Sequence, residues 1–281
     1  MQIGIFTKIF ARPSLDLVLD AVAATGLRRV QFNFESAGLP PMPDSVPPEL
    51  AQRIHEATTA RSLTIASVQG TFNMSHPDPE HRRAGLRRLR VIAGTGAILK
   101  APVIAICIGT RDPENMWRHH PDNATAEAWR DMSACVRDAV RIAADAGVTL
   151  ALEPEVTNLV GSAACARRLL DEIGSPHLQI TMDAANLFHA GELPRMAEIM
   201  DEAFALLGRD LVLAHAKDIS RDGEAGQEPA GHGRLDYDRY LSLLRAARFP
   251  GPLLLHGLAE AQVAGCISFL RTKIAAAESL G

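Results

Sequence analysis

The stretch VTLALEPEV, residues 148–156, contains the pattern from which the fold can be predicted. Its first half is a short apolar run, typical of a strand buried on both faces, and the run ends in Glu153 and Glu155. An amphipathic segment at 125–146 precedes it, and Gly147 marks the end of that predicted helix. A helix, a buried strand and a polar strand end, in that order, predict one unit of an α/β fold.

The same unit recurs along the whole chain. Apolar runs predict strands at residues 3–6, 29–34, 63–69, 103–108, 149–153, 179–183, 211–217 and 253–256. Helix-length segments fill the gaps at residues 13–26, 48–61, 78–100, 125–146, 162–173, 194–207, 237–247 and 260–277. The alternation indicates a parallel sheet, and no GxGxxG motif follows the first strand, where an open dinucleotide-binding sheet would carry it. We therefore expect a closed (β/α)8 barrel, the TIM barrel, with residues 1–281 as one domain.

Composition narrows the classes of partner. The chain has 281 residues, 47% of them hydrophobic and 22% charged, with a formal net charge of −4, so no basic field indicates a nucleic acid or membrane partner. The four cysteines are scattered without a CxxC motif, as in a reduced compartment. The first residues contain no apolar signal-peptide core, and no apolar stretch approaches the ~20 residues that span a bilayer. We expect a cytoplasmic protein.

The ends of the last four strands each contribute one side chain that can ligate a metal. In a TIM barrel these ends meet at one face, where the active site forms. Two carboxylates and two neutral imidazoles there balance the charge of a divalent cation, whereas without a cation such groups would remain unsatisfied. Two imidazoles favour Mn²⁺, Co²⁺, Zn²⁺ or Fe²⁺ over Mg²⁺; we expect one ion, Mn²⁺ first. The predicted metal ligands are Glu153, Asp183, His215 and His256.

These residues resemble the xylose isomerase-like barrels, a superfamily of sugar phosphate isomerases and epimerases, ketose 3-epimerases, inosose dehydratases and endonuclease IV. The motifs HAKD at 215–218 and GHGRLDY at 231–237 resemble the strand-seven motif and the glycine-rich loop of the ketose 3-epimerase branch. In that branch the metal ligands are a Glu, an Asp, a His and a final Glu. The resemblance implies that Glu153, Asp183 and His215 are the first three of these ligands. His256 stands where the last Glu is expected.

The resemblance implies a reaction in which two groups move a proton beside a metal-polarised carbonyl. Glu153 is the expected base on one face of a keto-sugar or hydroxy-ketone. His256 is the candidate on the other face, with Glu155 as a second candidate base and Glu260 as a weaker one. The leading hypothesis is a metal-dependent isomerase or epimerase of carbohydrate metabolism.

Other polar residues at the strand ends are expected to bind oxygens of a small polyhydroxylated carbonyl substrate. Asn186 replaces a family His, and Arg221 falls where the branch has a substrate-binding arginine. The expected substrate-binding residues are Asn73, His76, Asn186, Lys217 and Arg221.

Three alternative functions remain open. A dehydratase acting on a keto-inositol or related polyol would begin with the same proton abstraction and needs an acid, for which His232 or Lys217 is available. A DNA-repair endonuclease would use histidines such as His76, His119 and His120, but the acidic charge and the missing ligands disfavour it. A non-catalytic sugar-binding or partner subunit is the third, and a homo-oligomer is compatible with each.

Overall fold

The computed structural model describes residues 1–279 and contains a closed ring of eight parallel strands. The ring strands are β1 (Ile3–Phe6), β2 (Arg29–Phe32), β3 (Thr64–Gln69), β4 (Val103–Ile106), β5 (Thr149–Leu152), β6 (Leu178–Asp183), β7 (Leu211–Asp218) and β9 (Leu253–Leu255). They lie around the ring in chain order, and β9 pairs with both β7 and β1, which closes the sheet. The predicted closed (β/α)8 barrel is confirmed; the last two residues of the predicted domain lie outside the described residues.

A helix follows each ring strand along the chain. The helices are α1 (Leu15–Ala24), α2 (Pro48–Ala60), α3 (Pro79–Leu99), α4 (Ala126–Asp145), α5 (Ala163–Ile173), α6 (Met196–Leu207), α7 (Tyr237–Ala246) and α8 (Val263–Ser279). Side chains cap several helices; Thr125, for example, accepts a hydrogen bond from the backbone N–H of Ala128 at the start of α4. No helix within residues 1–279 is long and apolar enough to cross a membrane.

The structure differs from the predicted elements mainly at their ends. Several ring strands end one or two residues earlier than predicted, so that polar residues such as Glu153 lie just beyond the last hydrogen-bonded position. Short 3-10 turns occupy Leu193–Arg195 and Glu260–Gln262, where helices were predicted to begin. A two-residue strand, β8 (Glu228–Pro229), pairs antiparallel with the end of β7 and was not predicted, because so short a strand has no periodicity to detect.

The ring strands are buried on both faces, as their continuous apolar runs predicted. Their outward side chains pack with the helices in one large apolar cluster, to which Val30 and Leu152 belong. A second, smaller cluster fills the inside of the ring. This interior layer consists of Phe6, Val103, Ala105, Ala151, Leu213 and Leu254.

Two glycines of α3 allow a matched test of how this helix packs on the loop after β3. A Cβ atom added at Gly85 would lie 2.0 Å from the ring of buried Phe72, whereas one added at Gly94 would meet no atom within 4 Å. We expect Gly85→Ala to lower the free energy of unfolding by about 1–3 kcal/mol, because Phe72 must move. Gly94→Ala should raise it by about 0.5–1 kcal/mol, since alanine favours the helix. Urea denaturation measures both, and equal effects of the two substitutions would contradict this packing.

Candidate metal centre

The predicted metal ligands point to the barrel axis because of strand alternation. Glu153, His215 and His256 each follow a side chain of the interior layer by two residues, and side chains two apart on a strand share a face. Asp183 is the last residue of β6 and pairs with His215 in the ring. Because all four lie at or near the carboxyl ends of their strands, they meet at the carboxyl-terminal mouth of the barrel.

The four side chains converge on one point. One donor atom from each of Glu153, Asp183, His215 and His256 lies within 4.8 Å of the donors of the other three. Nδ1 of His215 lies 3.3 Å from Oε2 of Glu153 and 3.8 Å from Oδ2 of Asp183. Nε2 of His256 lies 3.3 Å from the same Asp183 oxygen. This spacing leaves room for one cation between donors of the types that divalent metals prefer.

His215 provides a direct test of whether a cation fits. Its imidazole is only 2% exposed, and neither ring nitrogen has a hydrogen-bond partner in the structure. Buried polar atoms almost always have a partner, since an unpaired one costs about 1–3 kcal/mol. A cation held between His215 and the two carboxylates would satisfy Nδ1, the ring nitrogen that faces them, and offset their charge, so the residues present fit a divalent metal ion.

The two carboxylates are held in the ionised form. Burial acts to raise the pKa of Glu153, but the neighbouring His215 and Lys217 outweigh it and keep that pKa below its ordinary value. Burial likewise acts against ionisation of Asp183, and Lys217 and His256 hold its pKa well below the usual range. Ionised carboxylates are the form that ligates a metal.

Two of the predicted substrate-binding residues lie beside the centre and connect its ligands. Asn186 donates from Nδ2 to Oε1 of Glu153 at 2.6 Å, and its Oδ1 accepts from Nζ of Lys217 at 3.0 Å. Nζ of Lys217 also lies 3.2 Å from Oδ2 of Asp183. Burial acts to lower the pKa of Lys217, but Asp183 and Glu153 outweigh it and raise that pKa. Lys217 is therefore an ammonium cation at the edge of the centre.

His256 has an apolar support and limited access to solvent. Its ring stacks on Phe6 with centroids 4.6 Å apart and meets the ring of His215 edge-on. The side chain is 19% exposed, compared with 2% for His215. Burial lowers the pKa of His256 to about 4, assisted by the positive charge of Lys217. The imidazole is thus neutral at physiological pH, as a metal ligand must be.

Glu155 lies next to the centre but its carboxylate faces its own loop. The backbone N–H of Thr157 donates to Oε1 at 3.0 Å, the Thr157 hydroxyl contacts both oxygens, and Asn158 donates to Oε2. Burial raises the pKa of Glu155. In this arrangement Glu155 orders the loop after β5, and its predicted role as a base remains a prediction.

The other predicted residues are spread around the mouth. Asn73 is buried and bonded to the backbone of the loops after β3 and β4. His76 is also buried, with Nε2 3.1 Å from the Pro113 carbonyl oxygen. Arg221 is exposed and bonded to Glu224. The structure does not bring these three to the four-donor cluster, and their roles in substrate binding remain predictions.

Two of the remaining candidates for a second base or an acid, Glu260 and His232, do not belong to the cluster. Glu260 forms a two-hydrogen-bond ion pair with Arg12, at 2.5 and 2.9 Å. His232 is exposed in the loop between β8 and α7. Within residues 1–279, one group of three or more His, Cys, Asp and Glu side chains has metal-binding geometry, and neither His119 nor His120 belongs to it. That finding does not favour a three-metal endonuclease centre.

Sequence reasoning missed two neighbours of the ligands. Cys107 is buried with Sγ 3.8 Å from Oε2 of Glu153, and it follows Ala105 of the interior layer by two residues, a signal that could have identified it. The hydroxyl of Tyr240 lies 2.9 Å from the carbonyl oxygen of Met182 and 3.1 Å from that of His215, so α7 supports both metal-bearing strands from behind. No sequence pattern indicated this contact.

Comparison with known proteins places the chain in a family. The family model described as xylose isomerase-like TIM barrel matches residues 19–272, so the chain belongs to this family, and the resemblance inferred from its motifs is confirmed. The prediction of a sugar isomerase- or epimerase-like enzyme is thereby confirmed at the level of the family, without a specific reaction. No curated protein matches the chain significantly.

Solved structures with this fold include enzymes and a zinc-containing protein. A xylose isomerase domain protein from Planctomyces limnophilus has a TM-score of 0.75 and 20% identity, over 96% of this chain and 95% of that one. The 3-keto-D-glucoside 4-epimerase of E. coli has a TM-score of 0.73 and 19% identity, over 97% and 99%. The IolI protein, solved with a bound zinc atom, has a TM-score of 0.74 and 14% identity, over 98% of each chain. At these identities the likeness establishes the fold.

The lowered pKa of His256 predicts how the metal-free protein responds to pH. An ordinary unfolded-state pKa of 6.5 and a folded-state value of about 4 mean that the unfolded chain binds more protons between these values. Stability should therefore fall as pH decreases from 6.5 to 4, by at most about 3 kcal/mol from this group. Urea denaturation in EDTA, compared with His256→Gln, isolates the contribution. An identical pH dependence in the two proteins would contradict it.

Proposed function

We propose that the protein is a divalent-metal-dependent isomerase or epimerase of a small keto-sugar or hydroxy-ketone, with Mn²⁺ as the preferred ion. The observation that carries the proposal is the buried His215, whose two ring nitrogens lack partners beside ionised Glu153 and Asp183. Such an arrangement is costly for stability alone and is explained by a cation. A small polyhydroxylated carbonyl substrate and a cytoplasmic location belong to this proposal.

The ion would be held by Glu153, Asp183, His215 and His256. When bound, it would polarise the substrate carbonyl and stabilise negative charge that develops on its oxygen. The neutral imidazoles leave two negative charges to balance the cation, which accommodates Mn²⁺, Co²⁺, Zn²⁺ or Fe²⁺ and less readily Mg²⁺. The zinc atom in the IolI protein supports the presence of a metal but not its identity here.

Glu153 would act as the base that moves the proton. Its Oε1 is fixed by Asn186 at 2.6 Å, so the carboxylate has one orientation relative to the barrel axis. Glu153 would take the proton from the carbon beside the carbonyl, the C–H electron pair forming the enediolate C=C bond while the carbonyl pair moves to oxygen. Glu153 would return the proton to the former carbonyl carbon on the same face. The hydroxyl on the first carbon would pass its own proton to the former carbonyl oxygen and become the new carbonyl, which gives an isomer.

Epimerisation needs a proton donor on the opposite face of the substrate. His256 is the candidate, because its partly exposed ring follows β9, whereas Glu153 follows β5, so the two side chains enter the cluster from different strands. An imidazole that ligates through Nε2, the nitrogen facing Asp183, retains only Nδ1 for a proton. Same-face isomerisation requires fewer groups than epimerisation and is the simpler reaction for this site.

A dehydratase is a second candidate because of one observation, the buried ammonium of Lys217. It lies 3.0 Å from Asn186 and 3.2 Å from Asp183, at the edge of the cluster. After Glu153 removes the proton, Lys217 could protonate a leaving hydroxyl, so that the substrate C–O bond breaks and water departs. Product analysis with a keto-polyol separates loss of water from rearrangement.

Removal of His215 should separate metal binding from stability. We expect His215→Leu to lower Mn²⁺ affinity by at least about 100-fold, because it deletes a central ligand. In EDTA at pH 8, its free energy of unfolding should stay within about 1 kcal/mol of wild type, since the lost imidazole has no hydrogen bonds. Calorimetric titration and urea denaturation measure the two quantities.

His177→Leu serves as the matched control. Nδ1 of His177 bonds the Val148 carbonyl at 2.7 Å, outside the cluster, so this variant should keep Mn²⁺ affinity and lose stability. Unchanged Mn²⁺ affinity in His215→Leu would sink the proposed centre.

Glu153→Gln tests the proton step. We expect it to slow exchange of the substrate proton beside the carbonyl into D₂O by at least about 100-fold, because the amide cannot act as a base. Glu155→Gln should have a much smaller effect, since that carboxylate faces Thr157 and Asn158. NMR of a panel of keto-sugars and hydroxy-ketones follows the exchange. The assignment fails if the Glu155 variant is the slower of the two.

A further inference from the structure

Lys217 is a buried cation with few partners. It is 7% exposed, and its side-chain stem lies against Gly257 after β9, where an added Cβ would come within 3.0 Å of Cδ. Nζ contacts Oδ2 of Asp183 at 3.2 Å and Oδ1 of Asn186 at 3.0 Å. An ammonium group has three N–H donors, so these two acceptors leave one uncommitted among the contacts of residues 1–279.

Oδ2 of Asp183, the anionic oxygen that Lys217 contacts, is shared. The same oxygen lies 3.3 Å from His256 and 3.8 Å from His215, in the cluster that would hold the metal. With a divalent cation in the cluster, the cation and the ammonium of Lys217 together carry three positive charges. The carboxylates of Glu153 and Asp183 beside them carry only two negative charges. Glu155 is the next anion, but its oxygens are bonded to the loop after β5.

A neutral substrate would leave this excess charge buried before any reaction begins. A buried charge that loses its partner is destabilised by several kcal/mol, whereas one that gains an anionic partner is stabilised. The uncommitted N–H of Lys217 requires a hydrogen-bond acceptor that residues 1–279 do not provide. A carboxylate beside the carbonyl of the substrate would reach Lys217 while the carbonyl oxygen lies toward the centre.

We infer that the substrate belongs to the hydroxy-keto acids, and that Lys217 binds its carboxylate. The inference rests on the proposed function, because it takes the cation and the reacting carbonyl from it. It narrows the substrate from keto-sugars in general to those that carry a negative charge next to the reacting carbons. Lys217 is thereby a specificity-determining residue.

Two three-carbon probes of matched size test the inference. Hydroxypyruvate and dihydroxyacetone share a hydroxy-ketone, and only the first has a carboxylate. Calorimetric titration of the Mn²⁺-loaded proteins measures the affinity for each probe. Hydroxypyruvate should bind at least about tenfold more weakly to Lys217→Met than to wild type, because one hydrogen bond between charged groups is lost. Dihydroxyacetone affinity should change less than about threefold. Lys273→Met removes the same charge from α8, where Lys273 pairs with Asp238, and should leave both affinities unchanged.

Mn²⁺ binding is measured first and separates two failures. The Lys217→Met protein should bind Mn²⁺ at least as tightly as wild type, because a like charge is removed from beside the cation. If wild type binds no Mn²⁺, the proposed function fails. If Mn²⁺ binds but Lys217→Met retains the wild-type preference for hydroxypyruvate, this inference alone is overturned. Should Lys217→Met not fold, Lys217→Gln, which keeps polar contacts to Asp183 and Asn186, must show the same selective loss.

Discussion

The buried carboxylate of Asp183 is the constraint on which the site depends. One of its oxygens lies within 3.8 Å of His215, His256 and Lys217, all in a region from which water is largely excluded. Closure of the barrel makes this possible, because β6, β7 and β9 adjoin and strand alternation points His215 and His256 inward, beside Asp183. The large apolar cluster around the strands must offset the cost of grouping these polar atoms. The centre is thus built for binding rather than for stability.

Two residues influence the charge of this centre, and one of them, His256, departs from the ketose 3-epimerase pattern that its motifs resemble. His256 replaces an expected carboxylate with a neutral ring, and Lys217 adds a buried cation beside Asp183. Both residues make the mouth of the barrel more positive than two carboxylates would. A substrate with an anionic group beside its reacting carbonyl would suit this positive electrostatic potential better than a neutral sugar. The same barrel can therefore serve different substrates through a few residues at its strand ends.

Sequence patterns were sufficient for the ring and for the four-donor cluster. Buried strands give continuous apolar runs, and the residue after each run lies at the barrel mouth, as Glu153 and His256 do. The orientation of side chains in the loops could not be predicted in this way. Glu155 faces its own loop and Arg221 faces solvent, because local hydrogen bonds that leave no periodic signal decide those positions. The link from Glu153 through Asn186 to Lys217 joins three strand ends and is likewise visible only in the structure.

The metal centre is tested most directly by pulsed electron paramagnetic resonance of the wild-type protein loaded with one equivalent of Mn²⁺. Modulation from imidazole nitrogen reports histidine ligands of the ion. We predict coupling to two histidine nitrogens, and coupling to one in His256→Ala. An Mn²⁺ signal without nitrogen coupling, or binding that does not saturate near one ion per chain, would contradict a centre formed by Glu153, Asp183, His215 and His256.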